Sequence, residues 1–197
     1  MHLFEIPLFY NSLRGIIAGD QIGTKSFVRS WISSMQCGSI VDIGCGTGDF
    51  FDPSLTLPYA GIDSNALYIN HAKRTYRTYS QAQFVCDNVL TSPLLSSQYH
   101  EAVLLISVMH HLSDADCEQL FRLIATMRPK VFLIADIIPY PPGRLQRCMV
   151  RLDRGHYIRP PEEKLALVQR FFSIIHSEFI NSRLAIQHGI VCIPLQI

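Results

Sequence analysis

The sequence lacks the features that mark several classes of protein. Its six cysteines form no C-x-x-C pair, so neither a zinc site nor a disulfide framework is predicted. No apolar run approaches the roughly 18 residues that suggest a membrane span. The first ten residues carry no basic segment of the kind a secretory signal needs. We therefore expect a soluble, cytoplasmic protein without a bound metal.

Charge is sparse and balanced. Charged residues make up 17% of the chain and the formal net charge is +1, so no nucleic-acid partner is expected. The sequence shows no repeat or polar linker, and 197 residues can bury the core of one domain. We predict a single domain over 1–197, with an N-terminal helical cap over 1–36 and a lid or acceptor-binding segment over 138–160. Its oligomeric state is left open.

The pattern of apolar residues predicts alternating strands and helices. Buried strands are predicted at 39–43, 60–63, 83–86, 101–107 and 131–137, and helices at 65–76 and 114–127. Thr24 is predicted to cap an earlier helix. A helix at 161–172 is followed by two strands, 173–180 and 184–195, around a turn. This order predicts an α/β fold, a Rossmann-like three-layer sandwich with a mostly parallel seven-stranded sheet and a C-terminal antiparallel hairpin.

The strongest motif is the segment VDIGCGTG at 41–48, where a buried strand runs into a turn with three alternating glycines. Glycine permits a positive φ and leaves no Cβ between the backbone and a ligand. A dinucleotide fingerprint needs its third glycine one place later, where this chain has Asp49, and that carboxylate would face a pyrophosphate unfavourably. No Gly-Lys-Ser or Gly-Lys-Thr follows, so a P-loop is excluded.

Two acidic residues follow at the ends of the next strands. Asp63 ends the second strand, where its carboxylate can accept hydrogen bonds from both hydroxyls of a ribose or can cap the next helix. Asp87 ends the third strand, where it can accept from an adenine amino group beside the Asn88 backbone, or form an Asx turn. Both interpretations stay open for each residue.

Together with the segment LLISVMHHL at 104–112, these motifs resemble those of the class I S-adenosylmethionine-dependent methyltransferase family, of the small-molecule type. The resemblance covers most of the chain and implies S-adenosyl-L-methionine as the cofactor. A turn of Arg128, Pro129 and Lys130 replaces the Pro-Gly-Gly of many relatives. The positions that the resemblance assigns to the cofactor are Asp42, Gly44, Cys45, Gly46, Thr47, Gly48, Asp63, Ser64, Asp87, Asn88, Ser107, Val108 and Met109.

Two adjacent histidines lie after the fourth strand. A sulfonium methyl is already activated, so the protein mainly has to align the nucleophile and exclude water. If the acceptor is a hydroxyl or an acidic carbon, His110 or His111 is the candidate proton acceptor, since a histidine titrates near pH 6.5. Alternatively, one histidine packs against the glycine-rich turn and the other caps the following loop.

A stripe of arginines follows the fifth strand. Arg144, Arg147, Arg151 and Arg154 recur at helical spacing, with apolar residues on another face. We predict an acceptor-binding role for Arg144, Arg147, Arg151, Tyr140 and Tyr157, toward a small acceptor that is anionic or lipid-like, or a peripheral contact with a membrane. A solvated arginine face, partly neutralised by Asp153, explains the same pattern.

Other functions stay open at this point. The same fold can serve as a catalytically silent S-adenosylmethionine-binding scaffold, because fold does not fix function. A nicotinamide-dependent oxidoreductase is the third alternative, and Asp49 and the glycine spacing disfavour it. The sequence does not identify the methyl acceptor or the atom that is methylated.

Overall fold

A computed structural model describes residues 21–97, 100–153, 155–182 and 185–195 of the chain. The helices are α1 (Ile22–Ser34), α2 (Ala66–Thr75), α3 (Pro93–Ser97), α4 (Asp114–Met127), α5 (Arg144–Leu152) and α6 (Pro161–Gln169). The strands are β1 (Ile40–Ile43), β2 (Tyr59–Asp63), β3 (Ala82–Cys86), β4 (Ala102–Ile106), β5 (Val131–Ile137), β6 (Phe172–Asn181) and β7 (Ile186–Pro194).

The seven strands form one sheet in the order β3-β2-β1-β4-β5-β7-β6. Strands β1 to β5 pair in parallel, whereas β7 pairs antiparallel with both β5 and β6. The predicted Rossmann-like sheet and its terminal hairpin are thus confirmed. The strand order reverses between β1 and β4, and ligands of open α/β sheets bind outside the carboxyl ends of the strands at such a point.

Apolar side chains cover both faces of the sheet, which gives three layers. One cluster packs α1 and α2 against the sheet through residues such as Phe27, Ile32 and Ile69. The other packs α4 and α6 against the opposite face through residues such as Phe121 and Val168. The central strands β1, β4 and β5 are therefore buried on both faces, as their continuous apolar sequences require.

Several predicted boundaries differ from the structure. Gln21, not Thr24, precedes α1, and Thr24 lies inside the helix, where its buried hydroxyl donates to Gln187 Oε1 at 2.6 Å. The last helix ends at Gln169, because Phe172 already pairs with Pro194 in the hairpin. Residues 1–20 of the predicted N-terminal cap lie outside the described residues.

Candidate cofactor and methyl-transfer site

The loop after β1, residues 44–48, lies at the carboxyl edge of the sheet. Gly44, Gly46 and Gly48 all have positive φ, at 71°, 55° and 83°. A Cβ on Gly48 would lie 2.8 Å from a ring carbon of Tyr76 and 2.9 Å from one of Phe84. Glycine is therefore required at Gly48 both for its backbone conformation and because aromatic rings pack directly on it.

Some predicted cofactor residues in this region have buried side chains that face the protein. Asp42 accepts a hydrogen bond of 2.6 Å from the hydroxyl of Tyr59, inside the core. Cys45 is buried, which raises the pKa of its thiol, and Thr47 donates to Asp49 Oδ1 at 3.1 Å. Asp42, Cys45 and Thr47 are thus buried around the glycine loop, and their side chains contribute to its packing.

Asp63 joins the end of β2 to the glycine loop. Its Oδ2 accepts a 2.9 Å hydrogen bond from the backbone of Gly46, and its Oδ1 accepts one of 2.8 Å from the backbone of Asn65. The helix-capping alternative belongs instead to Asn65, whose side chain accepts from the first amides of α2. Asp63 is thus a half-buried carboxylate held at the sheet edge, with Ser64 exposed beside it.

Asp87 and Asn88 follow β3 on the same edge. The backbone amide of Asp87 donates to the carbonyl of Asp63 at 3.1 Å, which places the two acidic residues next to each other. The Asx turn belongs to Asn88, whose side-chain oxygen accepts from Leu90 N at 2.9 Å. The Asp87 carboxylate accepts from Asn88 N at 2.8 Å and is half-buried. The glycine loop, Asp63 and Asp87 therefore lie next to one another along the carboxyl edge of the sheet.

Ser107 follows β4 in a strained conformation. Its φ of 57° is unusual for a residue with a side chain, and such backbone costs of order 1–3 kcal/mol unless the surroundings hold it. Here its amide donates to Ala135 O at 2.8 Å and its hydroxyl accepts from Gln187 Nε2 at 2.7 Å. The side chain of Val108 then packs directly on Gly44. These contacts bring the segment after β4 against the glycine loop.

The buried imidazole of His110 lies between two carboxylates. Its Nδ1 lies 2.5 Å from Asp136 Oδ1 of β5, and its Nε2 lies 3.3 Å from Asp153 Oδ1, just after α5. Lys164 of α6 is also buried and donates to the carbonyls of Asp136 and Ile137, at 3.0 and 2.5 Å. His110 thus connects β4, β5 and the segment after α5.

The electrostatics favour a charged pair of His110 and Asp136. Burial alone lowers the pKa of His110, but Asp136 and Asp153 outweigh it and raise that pKa above its ordinary value. Burial likewise raises the pKa of Asp136, and the neighbouring His110 and Lys164 bring it below its ordinary value. Burial lowers the pKa of Lys164 to about 8. The cationic form of His110 is the form that this environment stabilises.

His111 has a different environment from its neighbour. Its side chain is exposed, with its ring centroid 4.1 Å from that of His110. In the described part of the chain, His110, His111 and Asp153 are the one group of potential metal ligands that lie together, within 4.8 Å. The pairing of His110 with Asp153 accounts for two of these three residues, so the group needs no metal to explain it.

The end of the predicted lid segment is fastened to the turn at 109–111. Buried Arg159 donates to Met109 O and Leu112 O at 2.9 and 2.7 Å and pairs with Asp114 at 2.7 Å. The amide of Tyr157 donates to His110 O at 3.0 Å. Asp153 and residues 155–160 therefore lie against the turn that carries the two histidines.

The predicted acceptor residues of α5 do not converge on the histidines. Arg144, Arg147 and Arg151 lie on an exposed face of the helix, and the guanidinium of Arg147 donates to the carbonyls of Pro141 and Pro142 at 3.1 and 2.5 Å. Tyr140 and Tyr157 are both exposed to solvent, Tyr140 more strongly. Arg154 lies outside the described residues.

Sequence reasoning missed three residues that organise the site. Asp136 is signalled by a single charge inside an apolar strand, LIADII. Arg159 and Lys164 carry no local signal, because distant segments supply the backbone carbonyls that both of them contact and the Asp114 carboxylate that pairs with Arg159. A buried cation satisfied by carbonyls is visible only once the chain is folded.

Comparisons with known proteins agree with this geometry. Residues 40–129 match a family model described as a methyltransferase domain. No curated protein matches the chain significantly in sequence. Among solved structures, the N-methyltransferase NodS from Bradyrhizobium japonicum is 12% identical with a TM-score of 0.70, covering 89% of this chain and 96% of NodS.

Two further structures were solved with S-adenosylmethionine bound. Magnesium protoporphyrin IX methyltransferase from Synechocystis is 13% identical with a TM-score of 0.66, covering 89% of this chain and 81% of that one. Human N-acetylserotonin methyltransferase is 15% identical with a TM-score of 0.71, covering 96% of this chain and 56% of that one.

These findings confirm the fold predicted from the sequence: residues 40–129 are similar to a methyltransferase domain, and two of the solved structures with this fold were determined with S-adenosylmethionine bound. The glycine loop and the two acidic residues fit the chemistry of that cofactor, since they offer backbone amides and carboxylate acceptors along one edge. Across the described ranges, no helix is both long and apolar enough to span a bilayer.

Proposed function

We propose that the chain methylates a small molecule, with S-adenosylmethionine as the methyl donor, and that this molecule binds between the ends of β4 and β5 and the segment formed by Asp153 and residues 155–160. The main support for this proposal is that the contacts of His110 with Asp136 and Asp153 join these three segments next to the glycine loop. S-adenosylmethionine supplies an electrophilic methyl group, and Asp63 and Asp87 would hold its ribose and adenine. The acceptor must therefore enter beside His111, the exposed histidine of the pair.

The two histidines take different roles in this proposal. His110 is a positioning residue, because both of its ring nitrogens face carboxylates and its environment favours the cation. His111 is the catalytic candidate, since an exposed imidazole can take a proton from the acceptor when the acceptor requires it. The pairing of His110 with Asp136 holds in place the turn at 109–111, which also carries His111.

The acceptor class can be tested with a labelled methyl donor. Purified protein is incubated with labelled S-adenosylmethionine and pools of small amines, phenols, carboxylic acids and amphiphilic lipids, beside protein and RNA substrates. Label transferred to a small molecule supports the proposal, whereas label found only in protein or RNA contradicts it. Tight cofactor binding without transfer to any substrate would instead favour the silent scaffold.

The role of His111 is testable once an acceptor is known. His111→Ala should lower kcat by about 100-fold and remove the acidic limb of the pH–rate profile, because general-base catalysis contributes about 10²–10⁴-fold. His71→Ala, in α2 and away from the transfer site, is the matched control and should leave kcat unchanged. A normal pH–rate profile for His111→Ala would exclude the base and leave alignment alone as the mechanism.

A further inference from the structure

Helix α5 presents a mixed basic and apolar face to solvent. At about 100° per residue, its exposed residues occupy one continuous half of the helix. In order around that half they are Arg147, Arg151, Arg144, Cys148, Leu152 and Leu145. The opposite half, with Gln146, Met149 and Val150, is partly buried against the protein. The helix is thus held in place by one side while its basic and leucine-rich side is uncovered.

Exposed apolar side chains are concentrated around this helix. Ten large hydrophobic residues are exposed in the described part of the chain, and four of them lie between 140 and 157. They are Tyr140, 84% exposed, Leu145, 56%, Leu152, 67%, and Tyr157, 45%. Single exposed hydrophobic residues are normally scattered over a protein surface. Several exposed leucines and tyrosines on one short segment therefore indicate an interaction surface.

The charge of this face has one sign. Helix α5 contains three arginines and no acidic residue. The next acidic residue along the chain, Asp153, does not neutralise the stripe, because its carboxylate is paired with His110. The binding of Arg147 to two carbonyls leaves its positive charge in place. This face therefore places three positive charges beside two exposed leucines.

We propose that this surface, defined by Tyr140, Arg144, Leu145, Arg147, Arg151 and Leu152, docks on an anionic lipid bilayer. Arginines would pair with lipid phosphates while leucine and tyrosine side chains enter the boundary between headgroups and acyl chains. Charge complementarity selects an anionic membrane over a second copy of the chain, which would bring the same arginines face to face. This proposal does not depend on the identity of the methyl acceptor.

The decisive measurement is vesicle co-sedimentation of the full chain without cofactor or acceptor. We expect binding to vesicles of phosphatidylcholine mixed with phosphatidylglycerol, little binding to phosphatidylcholine alone, and weakening as salt is raised from about 0.1 M to about 1 M. Arg144→Gln/Arg147→Gln/Arg151→Gln should weaken binding by about 100-fold, since each basic residue near the surface contributes about fivefold. Leu145→Ser/Leu152→Ser should weaken it at least about tenfold.

Matched controls come from α2 and the residues that follow it. Lys73→Gln/Arg74→Gln/Arg77→Gln removes the same number of exposed positive charges elsewhere, and Leu67→Ser removes an exposed leucine. Equal losses in these controls would show unspecific attraction and overturn the proposal. Failure of the native chain to bind anionic vesicles would also overturn it, as would a dimer that Leu145→Ser/Leu152→Ser dissociates. Circular dichroism verifies folding of each variant, and methyl transfer without lipid reports separately on the proposed function.

Discussion

Asp63 is the residue whose replacement tests the cofactor site most directly. Its carboxylate already orders the edge, through hydrogen bonds from Gly46 N at 2.9 Å and Asn65 N at 2.8 Å. If it also accepts from the ribose, Asp63→Ala removes an interaction with a charged group, and hydrogen bonding of this kind contributes about 1.5–3 kcal/mol. We expect a loss of that size in cofactor affinity, which corresponds to about 10- to 150-fold in Kd.

The assay is calorimetric titration with S-adenosylhomocysteine, beside urea unfolding of the same variants. Asn65→Ala is the matched control, because it removes the cap of α2, at about 1 kcal/mol of stability, without removing the acceptor at β2. Asp63→Ala should lose affinity and Asn65→Ala should lose mainly stability. Unchanged affinity in a folded Asp63→Ala, or an equal affinity loss in Asn65→Ala, would refute the ribose role and leave Asp63 as a brace for the loop.

Three other outcomes follow from contacts and charges in the structure. Gly48→Ala should lower the free energy of unfolding by about 2–4 kcal/mol in urea titrations, because its φ is 83° and its Cβ would meet aromatic rings; a change below about 0.5 kcal/mol would contradict this. His188 is buried, and this burial, together with the nearby charge of Lys164, lowers its pKa to about 4. Below about pH 6.5 the unfolded chain binds a proton at this residue, whereas the folded chain keeps it neutral down to about pH 4. The free energy of unfolding should therefore fall by up to about 3 kcal/mol as the pH drops from 6.5 toward 4. In acid titrations followed by circular dichroism, His188→Gln should remove this loss, whereas His156→Gln, at an exposed histidine, should not. Arg159→Met should release residues 155–160 and increase their cleavage in limited proteolysis, whereas a cleavage pattern like that of the native chain would show that the contacts of Asp153 and Tyr157 with His110 are sufficient to hold the segment.

The sequence by itself determined the sheet and the order of its motifs. Continuous apolar runs located β1, β4 and β5, since strands buried on both faces must be continuously apolar, and the shorter runs before Asp63 and Asp87 located β2 and β3. The glycines at 44–48, Asp63 and Asp87 were placed at one edge because parallel strands end on the same side. Local conformation is encoded by short stretches of sequence, and the parallel strand direction follows from the alternation of strands and helices along the chain.

The tertiary structure decided which partner each polar group has. The helix cap that the sequence had left open for Asp63 is provided by Asn65. His110 differs from His111 because Asp136 and Asp153 reach it from distant segments. Thr24, predicted as a cap, is instead inside α1, where its hydroxyl has a partner in β7. Burial, and therefore pKa and exposure, depends on packing between segments far apart in sequence, and no local pattern contains that information.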